Sequence, residues 1–243
     1  MGPLSNGVTM ERAVFVPVMI TICALSLWVG LMMIPGISEG GVRTMKTQKG
    51  DVVHLPEPVR KGTLSLEETL AGRESVRQFS GTSLKIEEIS QLLWAAQGLT
   101  RRWGGRTTPS AGGLYPLEIF IVVPEGLLHY IPETHTLRHR AEEDLRDGLA
   151  SAALGQRWVC DAPAVIVIAA VYERTTEKYG KRGLDYVKME SGHAAQNILL
   201  QAVSLGLAAV PVGAFIDKRV AAVLELPDGI APLYLIPVGH PLK

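Results

Sequence analysis

A chain of 243 residues with 24 Lys plus Arg against 24 Asp plus Glu has no net charge, so no overall field draws it to nucleic acid or to an anionic membrane face. Its two cysteines, Cys23 and Cys160, are too few for a disulfide framework or a cysteine zinc site, and the globular part suits a reducing compartment. No P-loop, H-E-x-x-H or G-x-S-x-G pattern occurs, which removes the NTPase, zincin and α/β-hydrolase classes.

The run from Ala13 to Ile34 is uncharged and mostly apolar, and as a helix it would cover roughly 33 Å, the depth of a bilayer's hydrocarbon core. It exceeds the ~7–15-residue core of a signal peptide, and no A-x-A-like site follows at Pro35 to Gly41. Residues 1–37 therefore read as a single-pass membrane anchor, with the span at 13–34. Arg43, Lys46 and Lys49 follow the span and only Arg12 precedes it, which leans towards a cytoplasmic position for the rest of the chain. Residues 38–62 are polar and carry Gly40-Gly41, Pro56 and Pro58, the composition of a flexible linker. Residues 63–243, about 180 in all, suffice for one domain with its own core.

Within that domain, Ser65-Leu66-Glu67-Glu68 is a capping-box pattern that opens a helix ending near Ala71-Gly72. Ile86, Ile89, Leu92, Leu93 and Ala96 fall at helical spacing, and Gly98 closes that second helix. A glycine-rich polar loop from Arg101 to Gly113 leads to a strand over Glu118 to Val123. Leu127 to Tyr130 and His135 to Arg138 flank Pro132-Glu133-Thr134, a hairpin signal. Ala164 to Val171 is wholly apolar and of strand length, so it belongs at the centre of a sheet covered on both faces. His193 to Leu205, stopped by Gly206, reads as a buried helix apolar nearly all round, and Ala208 to Ala214 and Leu233 to Val238 as two more strands. Helices and strands mix without strict alternation, which gives an α+β class with a central mixed or antiparallel sheet flanked by helices.

Two stretches stand out chemically. Arg73-Glu74-Ser75-Val76-Arg77 leaves a helix and should be extended, so that Arg73, Ser75 and Arg77 line one side. Two guanidinium forks and a hydroxyl can receive a phosphate, each charge-assisted hydrogen bond contributing about 1.5–3 kcal/mol. The same alternation also suits a solvated edge strand. Pro109-Ser110-Ala111-Gly112-Gly113 is a turn of small residues just before a strand, where backbone could approach a flat ligand, or simply make a tight connection. His135 and His139 stand at i, i+4 spacing without a suitable carboxylate, so no metal site is expected, and His193 reads as a structural hydrogen-bonding residue.

The ordered set R-x-S-x-R, then P-S-A-G-G-L-Y-P before a strand, then G-H-A-A-Q-N, then G-L-A-A-V-P-V-G-A-F resembles the SagB-type dehydrogenases of the nitroreductase superfamily over about residues 63–243. The resemblance implies an α+β homodimer with FMN at two sites built from both subunits. It implies that Arg73, Ser75 and Arg77 hold the FMN phosphate and ribityl chain. Pro109, Ser110, Ala111, Gly112 and Gly113 would cover the isoalloxazine from the second subunit, and Gly213 and Ala214 would present backbone N–H groups to flavin N5. A basic pair near the C-terminus that completes the phosphate site in many relatives is reduced here to Lys243. Gly113 and Tyr115 stand where many nitroreductases have Asn and Gln, which favours the SagB branch.

In that branch a Lys-Tyr pair assists azoline oxidation, and Lys178-Tyr179 lies in a matching K-Y-G-K-R-G context. The charged surroundings of Glu173, Arg174, Glu177, Lys181 and Arg182 suit a solvated loop equally well. Azoline oxidation implies a cyclising partner protein. The alternatives are a membrane-anchored NAD(P)H-dependent quinone or nitro reductase and a non-catalytic flavin-binding assembly subunit.

Overall fold

A computed structural model describes residues 48–242. The expected membrane span at 13–34, the first part of the expected linker and Lys243 lie outside the described residues. No helix among the described residues is long and apolar enough to cross a membrane.

Apolar runs of strand length assemble into one seven-stranded sheet. Its strands are β1 (Val52–His54), β2 (Leu117–Val123), β3 (Gly126–Ile131), β4 (Thr136–Ala141), β5 (Ala164–Val171), β6 (Ala208–Ala209) and β7 (Ile230–Gly239). The order is β1-β4-β3-β2-β5-β7-β6 and every neighbouring pair is antiparallel, so the α+β expectation holds and its mixed option does not. The two edges are its shortest strands, three and two residues long. β5 is flanked by β2 and β7, and Ala164 to Ala170 are all fully buried, as a run apolar on both faces requires.

The period of two divides the core. Ile119, Ile121, Ile166, Ile168 and Ile236 point to one side, where α2 (Ile86–Gln97) and α6 (Arg182–Ser204) supply Leu92, Leu93, Ala194 and Ile198. Phe120, Val122, Val165, Val167 and Leu235 point to the other, against Leu149 of α3 (Arg146–Ala152), Val159 of α4 (Trp158–Asp161) and Val220 of α7 (Asp217–Val223). Each such side chain contributes about 1.5–3 kcal/mol on burial. The capping box forms as expected on α1 (Leu66–Gly72): Ser65 N–H donates to Glu68 Oε2 at 2.6 Å and Glu68 N–H to Ser65 Oγ at 3.1 Å.

Four expectations change. Val52–His54 falls in the stretch expected to be linker but pairs with β4, Leu55 is buried, and Gln91 holds Val59 through both its backbone groups at 2.8 and 3.0 Å. The strand expected over Ala208 to Ala214 is confined to β6, because Pro211 has no N–H to donate; beyond it a lone bridge joins Val212 to Leu235. The buried helix expected from His193 begins at Arg182, and His193 itself is exposed. The charged stretch before it, which suited a loop, forms α5 (Glu173–Tyr179).

Candidate active site

The expected site residues fall into two groups. The first follows α1. After Gly72 the chain runs extended, held where Val76 N–H donates to Ala209 O at 3.1 Å and Ser80 N–H to His240 O at 2.9 Å. Val76 packs towards Phe79, Ala208 and Val210, while Ser75 and Arg77 lie exposed and Arg73 half-buried. Glu74 and Gln78 are exposed as well, so burial does not divide this segment into the two sides that the sequence spacing anticipates. Among the described residues neither Arg73 nor Arg77 pairs with a carboxylate. The Arg77 guanidinium instead donates to the Ser75 carbonyl at 3.4 Å and lies 5.4 Å from the centroid of the Trp158 ring.

Beside this segment, the stretch after β6 ends in Gly213 and Ala214. Val212 is tied to Leu235 by bonds of 2.8 and 3.0 Å, and the two following residues are exposed. Among the described residues the N–H groups of Gly213 and Ala214 have no acceptor, although the Ala214 carbonyl accepts from Gln156 Nε2 at 2.7 Å. A pair of unspent donors fixed by a strand bridge is an anchor for an acceptor atom on a ligand.

The second group is built on the turn Pro109 to Gly113. Thr108 fixes its approach: its hydroxyl donates to Ala96 O at 2.7 Å and accepts from Asn197 of α6 at 3.1 Å. Gly112, Gly113 and Tyr115 have φ of 64°, 67° and 47°, a region that glycine enters freely and tyrosine does not. Tyr115 is held there on three sides. Its N–H donates to Ser110 Oγ at 2.9 Å, its carbonyl accepts from Arg174 at 3.2 Å, and its ring lies 4.5 Å beneath the Arg106 guanidinium.

Lys178 and Tyr179, at the end of α5, reach this turn. A Cβ on Gly112 would lie 2.7 Å from the Tyr179 hydroxyl and 3.0 Å from Lys178 Nζ, so only glycine admits this approach. The Tyr179 ring is fixed edge-on to Tyr186 at 5.2 Å. Arg182, the first residue of α6, is engaged by Asp185 at 2.9 Å. No hydrogen bond or ion pair among the described residues links the first group to the second.

Behind the turn lies a residue that the sequence did not single out. Glu190 of α6 is 3% exposed and is directed at the Ser110 hydroxyl and the Gln97 carboxamide, with the Arg106 charge nearby. Burial pushes its carboxyl up to about 7, against the opposing pull of those three neighbours. Its Oε1, with Gln97 Nε2 and Arg106 Nε, has no partner of bonding geometry. On the other side of Arg106, Glu133 completes an ion pair at 2.6 Å. The signal was present: Glu190 stands three residues after Val187 and four before Ala194, in the buried stripe of α6.

His135 and His139 do not make a metal site, and no metal-binding cluster occurs among the described residues. His135 is a hub of the fold, 2.8 Å from Ser90 Oγ and 2.9 Å from the Tyr130 hydroxyl.

This α+β fold is shared by proteins of known structure. The crystal structure of a protein from Ralstonia eutropha assigned as a nitroreductase superposes with a TM-score of 0.74 at 32% identity, covering 84% of this chain and 94% of that one. The Nitroreductase family model matches residues 70–240, and the chain belongs to that family of oxidoreductases. A protein of Methanocaldococcus jannaschii assigned as a nitroreductase is 45% identical over 200 residues, 80% of this chain and 100% of its own length. Two more distant relatives are 28% identical. The microcin B17-processing protein McbC of Escherichia coli aligns over 53% of this chain and 52% of its own length. An NAD(P)H-dependent FMN reductase of Bacillus subtilis aligns over 41% and 46%.

Proposed function

We propose that the protein is an FMN-dependent oxidoreductase of the SagB type. The observation that carries this is the first group: two guanidinium groups without carboxylate partners, beside two exposed N–H donors. That set fits a cofactor with a phosphate at one end and a hydrogen-bond acceptor at the other. FMN accepts or donates hydride at N5 when bound. Arg73, Ser75 and Arg77 would hold the phosphate and ribityl chain, and the Gly213 and Ala214 N–H groups would orient the ring and offer hydrogen bonds to its N5 side. The turn from Pro109 to Gly113 excludes water from the ring's face. It arrives from a second copy of the chain, which accounts for the lack of bonds between the two groups. Lys178 and Tyr179, brought to Gly112, hold or remove the proton that accompanies hydride loss from a substrate.

The resemblance to the SagB branch points to oxidation of azoline rings in a peptide, with a cyclising partner protein, and the likeness to a microcin-processing protein favours a peptide substrate. The FMN reductase relative favours a second reading, NAD(P)H-dependent reduction of a quinone or nitro compound, for which the expected anchor at 13–34 would place the site near lipid-soluble acceptors. In either case the catalytic domain takes in β1 as well as residues 63–243, and the anchor holds it to the membrane, on the cytoplasmic side.

The full chain, purified without added flavin, should show flavin absorbance at one FMN per chain. The double variant Arg73→Ala with Arg77→Ala should lose at least about a hundredfold in FMN affinity, from two charge-assisted contacts. Colourless wild-type protein that binds no added FMN, or unchanged affinity in the double variant, would end the proposal. Loss of two hydrogens from a thiazoline peptide selects the first reaction, and rapid bleaching of the flavin by NAD(P)H the second.

A further inference from the structure

The turn expected to lie over the flavin ring is supported from behind by a buried acid, and the geometry gives that acid a task. Ser110 Oγ already accepts the Tyr115 N–H at 2.9 Å, so one lone pair is used and its own proton is free to point in either of two directions. One is back towards Glu190, the other outward towards whatever lies on the turn. Glu190 cannot be a solvated surface charge, because it is 3% exposed and Gln97, which it faces, is fully buried.

We propose that Glu190 is a positioning residue that sets the direction in which the Ser110 hydroxyl donates, and through it the grip of the Pro109 to Gly113 turn on the bound ligand. When the Glu190 carboxyl is neutral it donates to Ser110, and the Ser110 proton turns outward to the ligand. When the carboxyl is ionised it accepts the Ser110 proton, and the ligand loses that donor. In the ionised state the relay from Tyr115 N–H through Ser110 to Glu190 runs in one direction, which strengthens the Tyr115 bond.

The surroundings leave Glu190 free to switch. Arg106 is the charge that acts on it, and Arg106 is already matched by Glu133. From α2 comes neutral Gln97. From α5 come Lys178 and Tyr179, which reach Gly112, and Arg174, which is bound to Tyr115 O and to Glu118 of β2. β5 and β6 bring no titratable side chain and β7 brings only Tyr234; along α6, Arg182, Asp185 and Lys188 are exposed, Tyr186 stands four residues before Glu190 and packs on Tyr179, and His193 stands three after it and is exposed. Burial then places the change of state near neutrality.

This inference rests on the FMN reading for its ligand, and two measurements separate the two ideas. The first is FMN affinity of the full chain by fluorescence quenching from pH 5.5 to 8.5, in wild type, Glu190→Gln and Ser110→Ala. Because the FMN phosphate itself titrates in this range, the quantity read is the ratio of each variant to wild type. Relative to Glu190→Gln, wild type should weaken about three- to tenfold as pH rises, the loss of one hydrogen bond. Glu190→Gln, whose amide donates as the neutral acid does, should stay at the tight level, and Ser110→Ala at the weak level. The second is amide exchange at Tyr115 in flavin-free protein, corrected for the intrinsic pH dependence. Protection should rise about two- to fivefold through neutrality in wild type and not in Glu190→Gln. If Glu190→Gln follows wild type in both measurements, the proposal fails. If FMN does not bind at all but the exchange step is present and abolished by Glu190→Gln, the switch stands and the flavin reading falls.

Discussion

Asn197 donates to Thr108 at 3.1 Å, and Glu190, seven residues earlier on the same face of α6, is directed at Ser110. The helix therefore fixes Thr108, and it carries Glu190 behind Ser110, on the segment that leads into the Pro109 to Gly113 turn. Asn197→Ala leaves Thr108, which is fully buried and still donates to Ala96, without its second partner. The expected cost is about 1 kcal/mol of stability, read by urea unfolding. FMN affinity should fall by less than in Ser110→Ala, because Asn197 acts one step further from the ligand.

Gly112→Ala tests the meeting of the turn with the Lys-Tyr pair. The new methyl group would sit 2.7 Å from the Tyr179 hydroxyl and at a φ of 64°. Backbone strain alone costs about 1 kcal/mol, and Tyr179 must also move. Turnover should fall at least about tenfold for a rearrangement of reacting groups of this size, with FMN still bound. An Ala variant with wild-type turnover would mean that Tyr179 lies outside the reaction.

The pH dependence of stability should carry the mark of Glu190. Its folded value, about 7, lies above the ordinary value of 4.5. Between those two points the native state holds a proton that the unfolded chain releases, so stability falls as pH rises through this window. Glu190→Gln removes that slope. Chemical unfolding of the two proteins from pH 4.5 to 8 should show the variant gaining on wild type through the window, then running parallel above it.

Glu118 has the opposite sign. Burial alone would raise its carboxyl, but His129 at 2.6 Å and Arg174 together hold it below the usual range. Its contribution is present above the ordinary carboxylate value and is lost as pH falls through the depressed folded value. Glu118→Gln should therefore destabilise the protein at pH 7 and have progressively less effect in acid. The measurement is the wild-type minus variant difference in urea midpoint across that range.

Ser65→Ala removes one half of the capping box on α1 and should cost about 0.5–2 kcal/mol. Because α1 ends where the Arg73 segment begins, FMN affinity should weaken slightly in the same variant, through looser placement of Arg73.

The parts of this molecule that were legible in the sequence were those with an unmixed local signal. β5 reads as a central strand because it has no polar residue at all, and α1 because Ser65 and Glu68 satisfy each other's backbone groups within four residues. β1 was hidden by Pro56 and Pro58, which signal a linker, while the strand-forming cue is only Val52-Val53 and depends on a partner, β4, distant in sequence. The first half of α6 was hidden by Arg182, Asp185 and Lys188, whose charges belong to its wet side. Glu190 was concealed among them, since its burial comes from Gln97 and Ser110 on other elements. That no hydrogen bond or ion pair joins the two site groups among the described residues could not be read locally at all.

The sheet's borders bear on how copies of this protein can meet. A strand seeking to join it finds only the three residues of β1 on one side and the two of β6 on the other, too few for a ladder of backbone bonds to hold. Among the described residues, edge-to-edge pairing of copies therefore has little backbone to use, and contacts between copies fall to helix and loop faces, where side chains decide the match.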